Sequence, residues 1–472
     1  MNQNNISATE LFQRVRELLT LPDLEPKTRN KMMHDTLILC CHEGVKDTKQ
    51  AFGNLFSQVD YLCKARGIKV ADKIAIQTMR RHSNSQEPLS GEDLKYDARA
   101  LTLFISAVFE ERIPHEVNVL IPHINRPFQK GLEINNRRIR CIVKNWDSDF
   151  IRVDIDQDAD EEEYLVRLKD EENHIDHTYL WDLLKEGMQL NLLDCQVKQP
   201  IITPRLIVVE PDYLVDISSI ATCFTAFGHH PLLYLLNLMK PRTNTQATLL
   251  GNFAGAALDD IINSHGKYQV NETVKSNFRE KALEFCTCPW FDAKKFYTDA
   301  NLQAFNLQQV VDILFPRTAS QAKMSAFRGE SLYDRKKAIL EPSFVCEALG
   351  IQGRVDLMTT DCKLLVEQKS GRNMNIETHQ VDPAYHSYQL EPHYVQLLLY
   401  YGVLQHNFKL SNDRVNIRLL YSKYQPQDGL MVVAYYQKLF KEAIEYRNQL
   451  VAASFEIAKE GFEHTLNEFT PE

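Results

Sequence analysis

The sequence of 472 residues lacks several features that assign proteins to common classes. It contains no Gly-x-x-x-x-Gly-Lys-Ser/Thr loop, so we predict no ATP site in the chain itself. Its longest apolar stretches, such as residues 232–238, are too short to cross a bilayer, and we expect no membrane partner. Residues 1–7 lack the basic and apolar regions of a signal peptide. Together these absences predict a soluble, cytoplasmic protein.

Cysteine is present but not in patterns that bind zinc. The ten cysteines include Cys40-Cys41 and Cys286-Thr287-Cys288, and neither group has the spacing of zinc ligands. Reduced thiols in a cytosolic protein are the simplest interpretation.

The charge is unevenly distributed. The net charge is −9, and residues 154–176 alone carry eleven acidic and two basic residues, so the rest of the chain is neutral overall. Because phosphate binding depends on where Lys and Arg lie, an acidic total does not exclude a local cationic groove.

Changes in sequence pattern predict three regions in an α/β protein. Residues 1–112 have helix-like periodicity, beginning with an amphipathic segment at 8–19 that Ser7 can cap. Residues 113–207 suit a small closed β-barrel of the OB type, and residues 208–472 form the third region. The predicted strands of the barrel are 117–121, 132–143, 150–155, 164–168 and 188–197.

One strand of the predicted barrel is basic. Arg137, Arg138 and Arg140 lie close to Trp146 and Phe150, and cations interleaved with aromatic rings are typical of a groove for single-stranded nucleic acid. The alternative is an exposed basic strand that pairs with the acidic stretch beside it. The sequence leaves both interpretations open.

The most informative pattern is an aspartate followed by a Glu-x-Lys. Runs at 343–349, 351–358 and 362–369 predict three short, mostly antiparallel strands. Asp356 near the end of one strand, with Glu367 and Lys369 on the next, would place two carboxylates and an ammonium on one face. Such carboxylates suit Mg²⁺ or Mn²⁺, and the lysine can steady charge on phosphorus. The implied chemistry is phosphodiester hydrolysis, although charges paired across an ordinary hairpin would give the same pattern.

Segments on both sides extend the pattern. Residues 392–404 have helical character, with Gln396 and Tyr400 on one face. Residues 249–262 predict a helix entered through a glycine, and Glu347 is predicted on the strand before Asp356.

In this order, the motifs resemble the RecB-like branch of the PD-(D/E)xK nuclease superfamily. The best match is the nuclease module of the DNA-replication helicase/nuclease family, bacterial members included, over about residues 208–425. The resemblance implies a mixed sheet flanked by helices. It also implies that Asp356 and Glu367 bind the metal with the Gln368 carbonyl as a further ligand, and that Lys369 is the catalytic lysine.

The resemblance also implies supporting roles around the site. Gln396 and Tyr400 would contact the DNA backbone or buttress the site, while Glu347, Gly353 and Arg354 are further supporting or DNA-binding candidates. Relatives continue into a helicase, so a helicase is an expected partner in cis or in trans. A fragment of a longer helicase-nuclease and a stand-alone nuclease both remain open.

Two departures from the family pattern affect the interpretation. The first motif helix of that branch commonly carries a metal-binding histidine, and the matching place here is Gly255. Many relatives bind an iron–sulfur cluster through one cysteine before that helix and three after the Gln-x-x-x-Tyr helix. Cys223 lies near the first place, but no cysteine follows Cys362, so we predict no cluster.

The sequence therefore predicts a Mg²⁺- or Mn²⁺-dependent deoxyribonuclease that acts on single-stranded DNA ends in replication or repair. The first alternative is a DNA-binding or scaffold module that keeps the nuclease fold but has lost full metal ligation at Gly255. The second is a single-strand-binding barrel with an inert carboxy-terminal domain.

Overall fold

The computed structural model describes residues 6–467 with gaps at 22–23, 49, 51, 53, 86, 127–136, 157–162, 242, 266–267, 383–386, 411–413, 462 and 465–466, and without the side chain of Met239. Contacts divide the chain into two compact units. The first unit is Met1–Tyr213 with Val451–Glu472, and the second is Leu214–Leu450. The three-region division stays a prediction, because these two units do not separate the helical region from the strands that follow it.

The first unit begins with helices. Within the described residues they are α1 Ala8–Thr20, α2 Pro26–Val45, α3 Leu55–Ala65, α4 Val70–Asn84, α5 Gly91–Phe109 and α6 His115–Asn118. Ser7 caps α1 in a capping box, in which its side chain accepts from the Glu10 amide and the Glu10 carboxylate accepts from the Ser7 amide. The predicted helix and its cap are therefore confirmed. Leu11, Val15 and Leu101 are fully buried in the core of these helices, and each such side chain contributes about 1.5–3 kcal/mol.

A seven-stranded sheet follows in the same unit, in the order β7-β8-β3-β2-β1-β6-β9. All its pairs are antiparallel except the parallel pair β3 and β8. The strands, with the separate pair β4 and β5, are β1 Arg138–Trp146, β2 Phe150–Ile155, β3 Tyr164–Arg167, β4 Lys169–Asp170, β5 Ile175–Asp176, β6 Gln189–Leu193, β7 Gln196–Lys198, β8 Ile201–Thr203 and β9 Leu206–Val209.

The second unit opens with short strands and then a helical layer. Its first elements are β10 Val215–Asp216, α7 Ile217–Ala221, β11 Phe224–Thr225, β12 Gly228–His229, α8 Leu232–Met239, α9 Gln246–Asn263, α10 Val270–Glu280, α11 Ala282–Cys286, α12 Ala293–Leu314 and α13 Ala319–Phe327. Thr245 caps α9 and Asp292 caps α12, each through its side-chain oxygen.

The remainder of the second unit is a mixed sheet with its helices. The elements are β13 Ala338–Leu340, β14 Ser343–Cys346, β15 Ile351–Arg354, β16 Leu357–Thr359, β17 Leu364–Lys369, α14 Met374–Thr378, α15 Glu391–Phe408, β18 Asn416–Tyr421, α16 Pro426–Gly429, β19 Leu430–Val432 and α17 Gln437–Glu460. The residues of α17 from Val451 onward belong to the first unit.

The central sheet has the order β13-β16-β17-β18-β19, and β17 lies in the middle. β17 is antiparallel to β16 and parallel to β18. Leu364 and Val366 of β17 pack in one core with residues of α9 and α12. Because strand side chains alternate, Glu367 and Lys369 lie on the other face of the sheet, against which α15 packs.

The structure corrects three sequence predictions. Residues 117–121 do not form a strand, since α6 and a turn occupy that segment. The run 351–358 is divided between β15 and β16, which belong to different sheets. The glycine-containing helix α9 begins at Gln246, so Gly251 and Gly255 lie inside it rather than at its entrance.

α15 packs against the central sheet, and ten of its residues are buried. It nevertheless carries polar side chains at Gln396 and His393. No helix in the described ranges has both the length and the apolar composition needed to cross a membrane.

Candidate active site

β17 places a carboxylate and an ammonium side by side. Glu367 and Lys369 are two residues apart and point to the same face. The Lys369 Nζ donates to Glu367 Oε1 at 2.8 Å, and the Glu367 side chain is only 5% exposed. The predicted Glu-x-Lys pair is therefore a buried ion pair in the central strand of the sheet.

Asp356 joins this pair from the break between β15 and β16. The pairing of Leu357 with Val366 brings the preceding residue, Asp356, next to Glu367. Its Oδ2 accepts from the backbone amide of Gln368 at 2.5 Å. Asp356 thus precedes a strand instead of ending one, but the predicted meeting of Asp356 with Glu367 and Lys369 on one surface is what the structure shows.

The two carboxylates oppose each other's ionisation. Burial, followed by the charge of Asp356, raises the pKa of Glu367 to about 8, although Lys369 acts in the opposite direction. Burial also raises the pKa of Asp356, partly offset by the Gln368 amide and the Lys369 ammonium. A cation between two such carboxylates favours the charged form of both.

One oxygen of Glu367 lacks a hydrogen-bond partner among the described residues, and this indicates whether a divalent cation suits the site. Glu367 Oε2 is buried and has no hydrogen-bond partner among the described residues. A buried acceptor without a donor is costly, and a hard cation would satisfy it. No three Asp, Glu, His or Cys side chains in the described part of the chain are grouped as ready-made ligands. A metal held here would therefore use Asp356, Glu367 and main-chain, water or substrate oxygens.

Tyr400 holds the backbone that leads to Asp356. Its hydroxyl donates to the Arg354 carbonyl at 2.7 Å and accepts from the Arg354 amide at 3.1 Å. A Cβ at Gly353 would lie 3.0 Å from the ring and hydroxyl of Tyr400, so glycine permits this approach. Of the two roles expected for Tyr400, the contacts favour support of the site.

Gln396 lies one turn before Tyr400 on the same face of α15. Its Oε1 is buried and has no partner among the described residues. His393, three residues earlier, contacts the Tyr421 hydroxyl through Nδ1 at 3.0 Å. Burial, with the nearby charge of Lys369, lowers the pKa of His393 to about 3, so the imidazole is neutral beside the site.

Two further carboxylates surround Asp356, and neither was predicted. Glu341 donates its backbone amide to the Asp356 carbonyl at 3.0 Å, and its carboxylate pairs with Arg354 at 3.1 Å. Burial, then the charge of Glu341, raises the pKa of Asp259 to about 6, and Asp356 contributes to the same shift. Asp259 is four residues after Gly255 in α9, a spacing that could have identified it.

Gly255 itself lies in the interior of α9. A Cβ built there meets no atom within 4 Å, so the space beside Gly255 is open. Asp259 lies one turn later in α9, and the charge of Asp356 contributes to raising its pKa.

Some predicted site residues lie elsewhere. Glu347 is not on the strand before Asp356, because β14 ends at Cys346 and Glu347 is exposed in the following turn. That turn is at the far end of the β14–β15 hairpin from Arg354, since Cys346 pairs with Ile351. Its supporting role stays a prediction.

The basic strand belongs to the first unit. Arg138 and Arg140 lie on β1 and Arg137 immediately precedes it. Arg140 makes a two-pronged ion pair with Asp212, through Nη1 at 3.1 Å and Nη2 at 2.9 Å. Among the described residues, the ion-pair partner of Arg140 is thus Asp212 and not a residue of the acidic stretch at 154–176, and nucleic-acid binding by these arginines stays a prediction.

Comparison with known proteins gives no assignment. No protein-family model matches the chain, and no curated protein matches it. Inference about function consequently depends on the geometry around Asp356, Glu367 and Lys369.

Proposed function

We propose that the chain is a metal-dependent deoxyribonuclease with a PD-(D/E)xK-type core. The observation that carries the proposal is the buried pair Asp356 and Glu367, with Lys369 bonded to one Glu367 oxygen and the other left without a donor among the described residues. A buried acceptor without a donor costs free energy, and a bound divalent cation would recover that cost.

The architecture is compatible with this proposal. The site lies on the central strand of a mixed sheet, with α9 and α12 on one face and α15 against the other. Helices on both faces exclude water from the carboxylates and lower the local dielectric constant. The mainly antiparallel sheet of the first unit supports the further proposal of an OB-like barrel.

Each protein group has a defined task in the proposed hydrolysis. Asp356 and Glu367 would hold Mg²⁺ or Mn²⁺, with the Gln368 carbonyl as a further ligand, and the ion would supply Lewis-acid stabilisation of phosphate charge and acidification of water. Lys369 places its ammonium where negative charge develops on phosphorus. Tyr400 fixes the Arg354 backbone and so the position of Asp356. Neutral His393 adds no competing positive charge near Lys369.

The proposed substrate is single-stranded DNA with a free end, and the proposed partner is a helicase in cis or in trans. An unpaired strand can approach a partly buried phosphodiester site that a rigid duplex cannot enter. This proposal concerns the second unit, where all the groups named above lie.

The decisive experiment compares isosteric variants on end-labelled single-stranded DNA in Mn²⁺. Asp356→Asn, Glu367→Gln and Lys369→Met should each reduce cleavage by at least about 100-fold, because each removes charge from the reacting centre. Asp361→Asn is the matched control: Asp361 is in the turn between β16 and β17, pairs with Lys337, and should retain wild-type cleavage. Equal cleavage by wild type and Asp356→Asn would refute the nuclease proposal.

Gly255 favours a second candidate, a DNA-binding module with weakened catalysis. In the nuclease family that the motifs resemble, a histidine at the corresponding place helps to hold the metal, and Gly255 has no side chain to do so. The same experiment separates the candidates. A wild-type protein that binds the labelled DNA but does not cleave it at millimolar Mn²⁺ supports the module, whereas metal-dependent cleavage supports the enzyme.

A further inference from the structure

A groove begins where β17 and β18 end. It has a volume of about 600 Å³, and its walls come from the amino-terminal parts of α9 and α12, the segment Ser370-Gly371-Arg372 and Lys423. Binding crevices commonly lie outside the carboxyl ends of parallel strands, and pockets of about 300–1,000 Å³ accommodate drug-sized ligands. This space is large enough for about one or two nucleotides.

A chain of hydrogen bonds links the groove wall to the candidate site. The Gln368 Nε2 donates to Ser422 Oγ at 2.7 Å, and that hydroxyl donates to Gln303 Oε1 at 2.7 Å. Gln303 in turn donates through Nε2 to the Ser370 carbonyl at 3.1 Å. Gln303 and Ser370 line the groove, and Ser370 directly follows Lys369. The wall is therefore held rigid by the same strand that carries Glu367.

Cations stand on opposite walls of the groove. Arg372 and Lys423 line one wall, and the carboxylate of Glu377 bonds both of them. Lys295 lines the other wall, and no acidic side chain among the described residues lies within ion-pair distance of its ammonium.

The acidic groups of the groove are partly committed. Asp292 and Asp299 also line it. Asp292 caps α12, where its Oδ1 accepts from the Lys295 amide at 2.9 Å. Its negative charge is therefore directed at the positive end of the helix. Lys295, Arg372 and Lys423 nevertheless all line the groove, and cationic side chains are the groups that contact a phosphodiester backbone.

Trp290 stands at the rim with its ring in solvent. Its side chain is 98% exposed, although large aromatic side chains are usually buried. Its φ is +57°, a left-handed conformation that is strained for a bulky residue. An exposed tryptophan on a strained backbone next to a cationic groove is a platform on which an unpaired base can stack.

We propose that this groove binds single-stranded nucleic acid next to the candidate active site. Trp290 stacks on a base, and Lys295, Arg372 and Lys423 contact neighbouring phosphates. The inference rests on the proposed nuclease function for its purpose, but the binding itself requires neither metal nor Asp356.

Binding is measured by fluorescence anisotropy with a labelled oligo(dT) of about 20 nucleotides, in EDTA so that no strand is cleaved. Trp290→Ala should weaken binding by about tenfold, and Trp290→Phe should restore most of it because a phenyl ring also stacks. Trp181→Ala is the matched control, since Trp181 is 52% exposed but lies in the first unit, and it should bind as wild type does.

Salt dependence tests the cations separately. Replacing Lys295 by Ala should lower the slope of log K against log salt by about 0.7, the value for one phosphate contact on a single strand. Arg372→Ala and Lys423→Ala should act in the same direction. A duplex of the same length should bind more weakly and should not respond to Trp290→Ala.

The outcomes distinguish this inference from the proposed activity. If the Trp290 and lysine variants bind oligo(dT) as wild type does while Asp356→Asn abolishes cleavage, the groove assignment is wrong and the nuclease stands. If these variants lose binding but Asp356→Asn cleaves normally, the groove stands and the assigned active site is wrong. Wild-type protein that does not bind oligo(dT), or binding to duplex that depends equally on Trp290, overturns the single-strand assignment.

Discussion

At the scale of single residues, His229 shows how neighbouring side chains change the pKa of an imidazole. Its Nδ1 contacts Glu442 Oε1 at 2.7 Å and its Nε2 contacts Glu391 Oε2 at 2.6 Å. Both ring nitrogens therefore donate, and the ring is an imidazolium. Partial burial alone would lower the pKa of His229, but the bonds to Glu442 and Glu391 outweigh it and raise the pKa above 6.5.

This raised pKa predicts a pH-dependent contribution to stability. The contribution is fully present below the unfolded value of 6.5 and is lost as pH rises through the higher folded value. Because His229 is partly exposed, it is worth about 0.5–1 kcal/mol after screening by solvent. We expect His229→Gln to lower the urea midpoint more at about pH 6 than at about pH 9. An equal loss at both values would contradict the charged pairing.

The charged residues of the candidate site could be predicted where they are neighbours in sequence. Glu367 and Lys369 are two residues apart on one strand, so period-two alternation was enough to place them together. Glu341 and Asp259 were not found, because each reaches Asp356 from a separate element and Glu341 adopts a left-handed φ of +47° that no local pattern indicates.

At the scale of elements, contact between helices depends on glycine at one position and not at another. Gly402 of α15 is buried, and a Cβ there would lie 2.3 Å from the Phe440 ring of α17. Gly255 of α9 has nothing within 4 Å. The same residue type thus permits close packing in α15 and only weakens the helix in α9.

The same substitution should therefore have opposite effects. Gly402→Ala should destabilise the second unit by about 1–3 kcal/mol, because Phe440 or the helix must shift. Gly255→Ala should stabilise it by up to about 1 kcal/mol through better helix propensity. Urea unfolding of both variants measures the difference. A neutral Gly402→Ala would show that α15 does not approach α17 as closely as described.

The capped helix α1 and the strand β2 were predicted well, whereas the short apolar segment 117–121 was not. Ser7 and the amphipathic pattern located α1, and β2 has the predicted bounds. The strand predicted at 117–121 was wrong, because the alternating Val117, Val119 and Ile121 suggested one face of a strand. In the structure only Val117 and Ile121 are buried, at the spacing of a helical turn, and Val119 is 61% exposed.

At the scale of the whole molecule, part of the negative charge concentrated in residues 154–176 is compensated by ion pairs with residues distant in sequence. Asp154 and Asp156 begin the acidic stretch, and they bind Lys73 and Arg80 of α4 within the first unit. These partners are separated by 81 and 76 residues, so no local pattern could identify them. The acidic stretch is in part a docking surface for the helices that precede it.

Metal binding should change amide hydrogen exchange in the second unit only. Mn²⁺ should slow amide hydrogen exchange in β16 and β17, because a ligand that binds the folded state suppresses local opening. The helices α1–α5 of the first unit should exchange at unchanged rates. Asp356→Asn should abolish the effect of Mn²⁺, and protection in α1–α5 without protection in β17 would contradict the assigned metal position.

Glu367 Oε2, which has no donor among the described residues, has a consequence for stability. A buried carboxylate oxygen without a donor subtracts from folding free energy, and the neighbouring Asp356 adds repulsion. The second unit therefore keeps a locally unfavourable arrangement, which a side chain without an unsatisfied polar atom would remove. Under the proposed function, this cost in stability comes with placing a metal ligand in the sheet, and a sequence selected only for stability would not retain a glutamate at this position.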